Sequence, residues 1–174
     1  MAVLDIVKFP DKRLRIKSKK ITEIDNKIKE LINNMIDTLY ENNGLGLAAI
    51  QLGVPLKLFI IDWHQRETGE QNRDNVMVFI NPEIFDCNEM ILSKKEACLS
   101  LPGISADVNR FRECKIKAVD KNGNEFVLET EDLLAIACQH ENDHLNGKLY
   151  IDRLSSLKKN LVIKKYKKLN RVKK

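Results

Sequence analysis

The spacing of apolar residues along the 174-residue chain predicts a helix near the start. Between residues 24 and 39, isoleucine, leucine and methionine recur every three or four positions, which is typical of an amphipathic helix. The run Asn42-Asn43-Gly44 should end this helix, because asparagine and glycine readily adopt the left-handed conformation that follows a helix C-terminus.

Apolar runs in the middle of the chain predict strands. Three of them lie at 56–62, 76–81 and 84–92, and the polar stretch 64–75 reads as a loop after the first. The segment 113–130 predicts a hairpin that turns at KNGN, because apolar residues and lysines alternate in its first half.

A further helix is predicted after this hairpin, with Thr130 as its N-cap and Gly147 at its end. One stripe of this helix is apolar except for two histidines, so both histidines should point inward. Its members are Leu133, Ile136, Ala137, His140 and His144. Strands in the middle with helices at both ends predict an α+β fold, with antiparallel strands packed around this central helix.

The last predicted helix is strongly basic. Residues 153–174 contain ten lysines and arginines and no acid, whereas the rest of the chain carries a net charge of −5. Leu154, Leu157 and Leu161 should lie on one side of this helix, facing the body. Such a tail favours an anionic partner.

Length and composition predict one domain, 1–174, with no membrane span and no secretory signal. The four cysteines form no CxxC pair, which favours reduced thiols and a cytoplasmic protein.

The sequence QHENDHLNG, residues 139–147, contains an HExxH motif. Residues four apart lie on the same side of a helix, so His140 and His144 can bind one metal ion, and Glu141 can act as general base on a water molecule. The alternative is a helix with two separately hydrogen-bonded histidines.

The third ligand decides the chemistry, and the residues alone leave it open. Some metalloproteases with an HExxH motif take a downstream glutamate as third ligand, but the only acidic residue after His144 is Asp152. Others extend the motif to HExxHxxGxxH, but Tyr150 occupies the position of the third histidine. His64 reads as a surface residue in a polar loop. Three cysteines read as core residues: Cys87, Cys114 and Cys138. Cys98 lies in an aperiodic stretch before a Pro-Gly turn, which makes it the best thiol candidate.

Three motifs together resemble the peptide deformylases, metalloenzymes that remove the formyl group from the N-terminal methionine of new bacterial proteins. GLGLAAIQ (44–51), EACLS (96–100) and QHENDH (139–144) are similar to the family's GxGxAAxQ, EGCLS and QHExDH motifs in the same order. The resemblance extends along nearly the whole chain and includes a basic C-terminal helix.

The resemblance implies Cys98, His140 and His144 as metal ligands and Glu141 as the general base and acid. It also implies an oxyanion hole formed by the Gln51 side chain and the Leu99 backbone N–H, with Gly46 allowing the substrate to approach.

The resemblance further implies an apolar slot for the substrate methionine, and it places two charged residues around the metal ligands. Leu45, Leu133, Ile136 and Ala137 would line the slot. Glu96 would support the metal ligands, with Arg110 as its partner. Ala97 replaces the motif glycine, which would strain the backbone by about 1–2 kcal/mol if the position needs a positive φ.

One divalent ion is therefore expected as cofactor. The resemblance suggests Fe²⁺, and Zn²⁺, Ni²⁺ or Co²⁺ also suit one thiolate and two imidazoles. The expected partners are N-formylmethionyl nascent peptides and, through the basic helix at 153–174, ribosomal RNA. Two rival hypotheses are a metallopeptidase with Asp152 as third ligand and a ribosome-associated module with a structural metal.

Overall fold

The computed structural model describes residues 2–171 and has, within that range, four α-helices and one five-stranded sheet. The helices are α1 (Asn26–Glu41), α2 (Trp63–Thr68), α3 (Asp132–Leu145) and α4 (Ser156–Arg171). The strands are β1 (Gly46–Ala48), β2 (Leu58–Ile61), β3 (Met77–Ala97), β4 (Ser105–Val119) and β5 (Glu125–Glu131). They lie in the order β1-β2-β3-β4-β5, and every neighbouring pair is antiparallel. The predicted α+β class is therefore confirmed. Among the described residues, none of the helices is long and apolar enough to cross a membrane.

Helix α1 forms where the apolar spacing predicted it. The Asp25 carboxylate accepts a hydrogen bond from the Ile28 backbone N–H at 2.9 Å and so caps the helix. The helix ends before Asn42, and Asn43 follows with φ 49°, which confirms the predicted end. The buried face of α1 packs on β1 and β2 and consists of Ile32, Met35, Ile36, Thr38 and Leu39.

Helix α3 packs on β1, β2, β4 and β5 and is the most deeply placed helix among the described residues. Gly147 follows its C-terminus with φ +69°, and a Cβ there would lie only 2.5 Å from the Arg15 carbonyl oxygen. Glycine is therefore needed both for the conformation and for the close approach of the N-terminal segment. The predicted end of this helix at Gly147 is confirmed.

The two strands predicted at 76–81 and 84–92 are one continuous strand, β3, which pairs with β4 along most of its length. Pro82 lies within a register shift between Ile80 and Glu83, where the ladder does not need its missing N–H. Asn81, at φ 51°, is fixed in the same place, because its Oδ1 accepts from the Ile21 N–H at 2.8 Å and its Nδ2 donates to the Ile21 carbonyl at 2.7 Å.

The stretch 64–75, predicted as a loop, contains most of helix α2 and a short 3₁₀ helix at Arg73–Asn75. The Asp62 carboxylate caps α2 by accepting from the Gln65 N–H at 2.9 Å, and Gly69 ends it at φ +79°. These capping residues were visible in the sequence, but six helical residues are too few to show an apolar period.

Thr130 is not the N-cap of α3. It lies in β5, where its hydroxyl donates to the Cys114 carbonyl of β4 at 2.9 Å. The sheet therefore uses the side chain that the helix was expected to use, and α3 begins two residues later at Asp132.

Of the three leucines predicted on the inner side of the C-terminal helix, only Leu154 packs on the body, and it lies before α4 begins. The prediction is wrong for the other two. Leu157 and Leu161 are 72% and 60% exposed. Tyr166 faces the body instead, buried against Phe9, and its hydroxyl donates to the Phe9 carbonyl at 2.9 Å. The part of the predicted tail at 172–174 lies outside the described residues.

Candidate active site

One cysteine and two histidines lie close together in the interior. Cys98 is the first residue after β3, and His140 and His144 lie one turn apart on α3. The Cys98 Sγ lies 3.2 Å from the His144 Nε2, which lies 3.3 Å from the His140 Nε2. All three residues are buried, and their ligand atoms lie within 4.8 Å of one another. Among residues 2–171 this is the one such group of three.

The donor set fits a divalent metal ion. A tetrahedral ion bound through nitrogen and sulfur holds these atoms roughly 3.3–3.6 Å apart, given bonds of about 2.0–2.3 Å. The observed separations are close to that range. Burial favours neutral imidazole at His144, because it lowers the pKa of this ring well below its usual range. A neutral ring is the form that binds metal.

Two rival ligands are positioned elsewhere. The Asp152 carboxylate forms ion pairs with Arg15 and Lys159 and accepts a hydrogen bond from the Leu149 N–H at 2.8 Å. It is not a member of the cysteine–histidine group, so the metallopeptidase with Asp152 as third ligand is not supported. Cys138 is fully buried in the hydrophobic core, as expected.

Glu96 and Arg110 hold one of the histidines. The His140 Nδ1 lies 2.7 Å from the Glu96 Oε1, so the ring directs its Nε2 toward the group of ligand atoms. Arg110, only 1% exposed, donates two hydrogen bonds to the same carboxylate at 2.6 and 3.1 Å. Burial alone would raise the pKa of Glu96, but hydrogen bonds from His140 and Arg110 lower it to about 2.

Asp143 extends this arrangement and was missed in the sequence. Its carboxylate accepts from Arg110 at 2.6 Å and twice from Arg153, each at 2.6 Å. Burial would raise the pKa of Asp143, but the hydrogen bonds from Arg153 and the charge of Arg110 lower it. Its position inside the HExxH motif could have indicated this role, because an acidic residue between two inward-facing histidines is itself buried and needs a cationic partner.

Glu141 points into the site from α3. It is 5% exposed, and burial raises its pKa to about 7. Its Oε2 is buried and has no hydrogen-bond partner among the described residues. A Cβ added at Gly46 would lie 2.7 Å from the Glu141 Oε1, so β1 approaches this carboxylate as closely as glycine permits.

Gln51 contacts the cysteine of this group. Its Oε1 accepts from the Ala48 N–H at 2.8 Å, which turns its Nε2 toward the Ser100 Oγ at 3.2 Å and the Cys98 Sγ at 3.6 Å. Leu99 follows the cysteine, and its backbone N–H forms no hydrogen bond with other residues of the described chain. Two donors are thus available beside the sulfur.

A cavity of about 530 Å³ opens next to these groups. It reaches Cys98, His140 and Glu141, and the four residues expected to form the methionine slot also line it: Leu45, Leu133, Ile136 and Ala137. Ala97 lies on its edge, exposed and with a negative φ. The strain considered for this alanine is therefore absent.

Comparison with known proteins agrees with this arrangement. The sequence model of the family described as Polypeptide deformylase matches residues 3–160. The peptide deformylase of Thermodesulfovibrio yellowstonii is 47% identical over 167 residues, which cover 96% of this chain and 98% of that protein. The enzyme named peptide deformylase from Pseudomonas aeruginosa is 42% identical, with 98% of each chain covered.

Solved structures agree as well. A crystal structure of a peptide deformylase from Legionella pneumophila has a TM-score of 0.89 at 40% identity and covers 99% of this chain and 98% of that chain. The peptide deformylase from Ehrlichia chaffeensis, solved in complex with actinonin, has a TM-score of 0.87 at 36% identity, with 98% of this chain and 99% of that chain covered. The family predicted from the three motifs is confirmed, and the chain belongs to the polypeptide deformylases.

Proposed function

We propose that Cys98, His140 and His144 hold the divalent metal ion with which this deformylase removes the formyl group from N-formylmethionyl peptides. The observation that carries this assignment is the buried group of one sulfur and two ring nitrogens, open on one side to the cavity beside Glu141. When bound, the ion would polarise the formyl carbonyl and lower the pKa of a water molecule.

Glu141 moves the proton. As carboxylate it takes a proton from the attacking water, and as carboxylic acid it gives this proton to the leaving amine, so that formate and a free amino terminus are released. A pKa raised to about 7 by burial suits both steps, because each form is then accessible near neutral pH.

The developing negative charge on the formyl oxygen needs donors. The Gln51 Nε2 is directed toward Cys98, and the Leu99 N–H follows directly after it, so both can donate to an oxygen placed beside the sulfur. Gly46 leaves room for the reacting group next to Glu141, since any side chain there would contact the carboxylate.

The methionine side chain would occupy the apolar part of the cavity. Leu45, Leu133, Ile136 and Ala137 supply aliphatic surface within reach of the formyl site. Glu96 and Arg110 fix the His140 ring, which keeps its free nitrogen pointed at the metal.

We infer Fe²⁺ as the physiological ion, because thiolate and imidazole ligands suit it and the family resemblance suggests it. Zn²⁺, Ni²⁺ and Co²⁺ suit the same donors.

Formate release from formyl-Met-Ala-Ser by anaerobically prepared protein, with its metal content measured, tests the proposal. We expect Cys98→Ala to lose both metal and turnover. Glu141→Ala should keep fold and metal while turnover falls by roughly 10²–10⁴-fold. Full turnover by Glu141→Ala would contradict the assigned role and would favour a structural metal.

We also propose that α4 docks the enzyme on ribosomal RNA, which would place it in the cytoplasm beside emerging chains. The support is a run of exposed lysines on α4, including Lys164, Lys165 and Lys168, on a helix whose inner face is anchored by Tyr166. Counterion release makes such binding strongly salt-dependent.

Replacing these three lysines with glutamine tests the docking better than truncation after Asp152, which would also remove the packing of Tyr166. Cosedimentation with ribosomes should weaken at low salt, while formyl-Met-Ala-Ser turnover stays unchanged. Unaltered cosedimentation would contradict the proposal.

A further inference from the structure

The rim of the active-site cavity carries an uneven charge. Three lysines line it, Lys8, Lys94 and Lys95, and all three are exposed. We call these three residues the rim lysines. The acids that line the cavity are Glu96 and Glu141, both at least nine-tenths buried in its floor. The exposed charged residues that line the cavity are therefore all positive, and its other polar residues, such as Asn42 and Asn43, are neutral. The exposed Asp107 lies beside Lys95 but does not line the cavity.

Two of these lysines owe their position to a β-bulge. Consecutive residues of a strand normally point to opposite faces, yet Lys94 and Lys95 are both exposed between buried Ser93 and buried Glu96. The register with β4 shifts between Ser93 and Glu96, and Lys95 adopts φ +54°. The Asp107 carboxylate accepts from the Lys95 N–H at 2.9 Å and holds this irregularity in place.

Lys8 reaches the rim from the N-terminal segment. The neighbouring Phe9 N–H donates to the Ser100 carbonyl at 2.9 Å, two residues beyond Cys98. The segment is therefore fixed beside the turn that carries the cysteine. Within the described chain, none of the rim lysines forms an ion pair through its ammonium group.

The rim lies where the substrate must pass. With the formyl group at Cys98 and the methionine in the apolar slot, the rest of the peptide has to leave through the opening. Lys95 is three residues from Cys98, which is at most roughly 10 Å along the chain, and a substrate residue advances about 3.3 Å. The second to fourth residues of an extended substrate therefore pass the rim lysines.

We infer that the rim lysines make this enzyme select formyl-methionyl chains whose next residues are acidic over those whose next residues are basic. This inference rests on the proposed function and adds the preference beyond the first residue. One pair of exposed charges about 7 Å apart in water changes a binding constant two- to threefold. Several such pairs should therefore change the ratio of kcat/KM between acidic and basic peptides by on the order of tenfold at low salt. Because the Debye length falls from about 10 Å at 0.1 M salt to about 3 Å at 1 M, the preference should fade as salt rises.

The test compares kcat/KM for formyl-Met-Glu-Glu, formyl-Met-Lys-Lys and the neutral formyl-Met-Ala-Ser, all amidated at the C-terminus so that no terminal carboxylate adds charge. We expect the acidic peptide to be preferred over the basic one by roughly tenfold at low salt, mostly through KM, and by less than about twofold at 1 M salt. Turnover of the neutral peptide separates the charge preference from the deformylase function. If the neutral peptide is not turned over, the proposed function itself is contradicted.

Charge variants locate the effect. The double variant Lys94→Gln/Lys95→Gln should lose most of the discrimination, and Lys94→Glu/Lys95→Glu should reverse it. The matched control is Lys27→Gln/Lys29→Gln, which removes the same charge from exposed positions of α1 that do not line the cavity. Equal kcat/KM for the two charged peptides, with the neutral peptide turned over, would overturn the inference. So would a preference that the rim variants leave unchanged or that the control variant removes.

Discussion

Replacing Gly46 with alanine should impair catalysis while leaving the fold and the metal site intact. The added Cβ would lie 2.7 Å from the Glu141 Oε1 and 3.0 Å from its Cδ and Cγ, whereas ordinary contacts begin at 3.4 Å. The carboxylate therefore has to move by about 0.7 Å, and burial leaves it little room to do so. Misplacement of a catalytic group by this amount costs about 10–10² in rate.

Stability should change much less than activity. The φ of Gly46 is not positive, so alanine meets no backbone strain, and the loss of chain entropy in the unfolded state favours the variant by about 0.4–1 kcal/mol. This gain offsets part of the destabilisation that the close contact with Glu141 causes. We therefore expect the free energy of unfolding to change by less than about 2 kcal/mol. Formate release, metal content and urea unfolding measure the three quantities separately.

A double-mutant cycle with Glu141→Ala provides the control. Alanine at position 141 removes all three atoms that the new Cβ would contact, so Gly46→Ala should then have almost no further effect on rate. If Gly46→Ala costs the same factor in both backgrounds, it acts on something other than Glu141. Full activity of Gly46→Ala would show that a Cβ at this position does not displace the Glu141 carboxylate.

Three further predictions follow from buried charges and metal binding. Arg110→Leu should destabilise the protein by roughly 3–5 kcal/mol in urea unfolding, because it leaves the Glu96 and Asp143 carboxylates without a shared cation; a change below about 1 kcal/mol would contradict the ion-pair argument. Asp152→Asn should destabilise the metal-free protein by about 1–3 kcal/mol at pH 7. Hydrogen bonds from Arg15 lower the pKa of Asp152 against the opposing effect of burial, so this stabilisation is present above about pH 4 and lost as the pH falls further; a difference from wild type that does not shrink in acid would count against it. Metal at about 100 times its dissociation constant should stabilise the apoprotein by about 2.7 kcal/mol, and Cys98→Ala should abolish the rise in melting temperature.

The sequence predicted the parts of the site that depend on local geometry. His140 and His144 lie one helical turn apart, so a period of 3.6 residues is enough to bring them together. The end of α1 at Asn43 could also be predicted, because asparagine readily adopts the positive φ that ends the helix there. Cys98 is the best thiol candidate from its surroundings, but only the motif resemblance implied that it is a ligand, because no local pattern joins it to His140, 42 residues later.

Features that depend on pairing between distant segments were missed. Thr130 reads as a helix cap, but its hydroxyl is used by the neighbouring strand. Leu157 and Leu161 have helical spacing, yet Val162, Ile163 and Tyr166 make the contact of α4 with the body, and the Tyr166 hydroxyl donates to the Phe9 carbonyl. In each case the local preference is weak, and tertiary contacts decide between two acceptable arrangements.

Strand β3 shows most clearly why the periodic pattern was not enough. Its ladder with β4 shifts register at three places, and asparagine, aspartate and lysine residues with positive φ lie in these gaps, at Asn81, Asp86 and Lys95. Each shift changes which face the following side chains occupy, so period-two alternation fails and the strand reads as two strands and a loop. The last shift turns Glu96 inward toward His140 while Lys94 and Lys95 stay outside. One bulge thus supplies both the carboxylate that orients a metal ligand and the positive rim of the cavity. Changes to the backbone conformation of the bulge should therefore affect metal affinity and substrate preference together, whereas exchange of the exposed lysine side chains should affect only the preference.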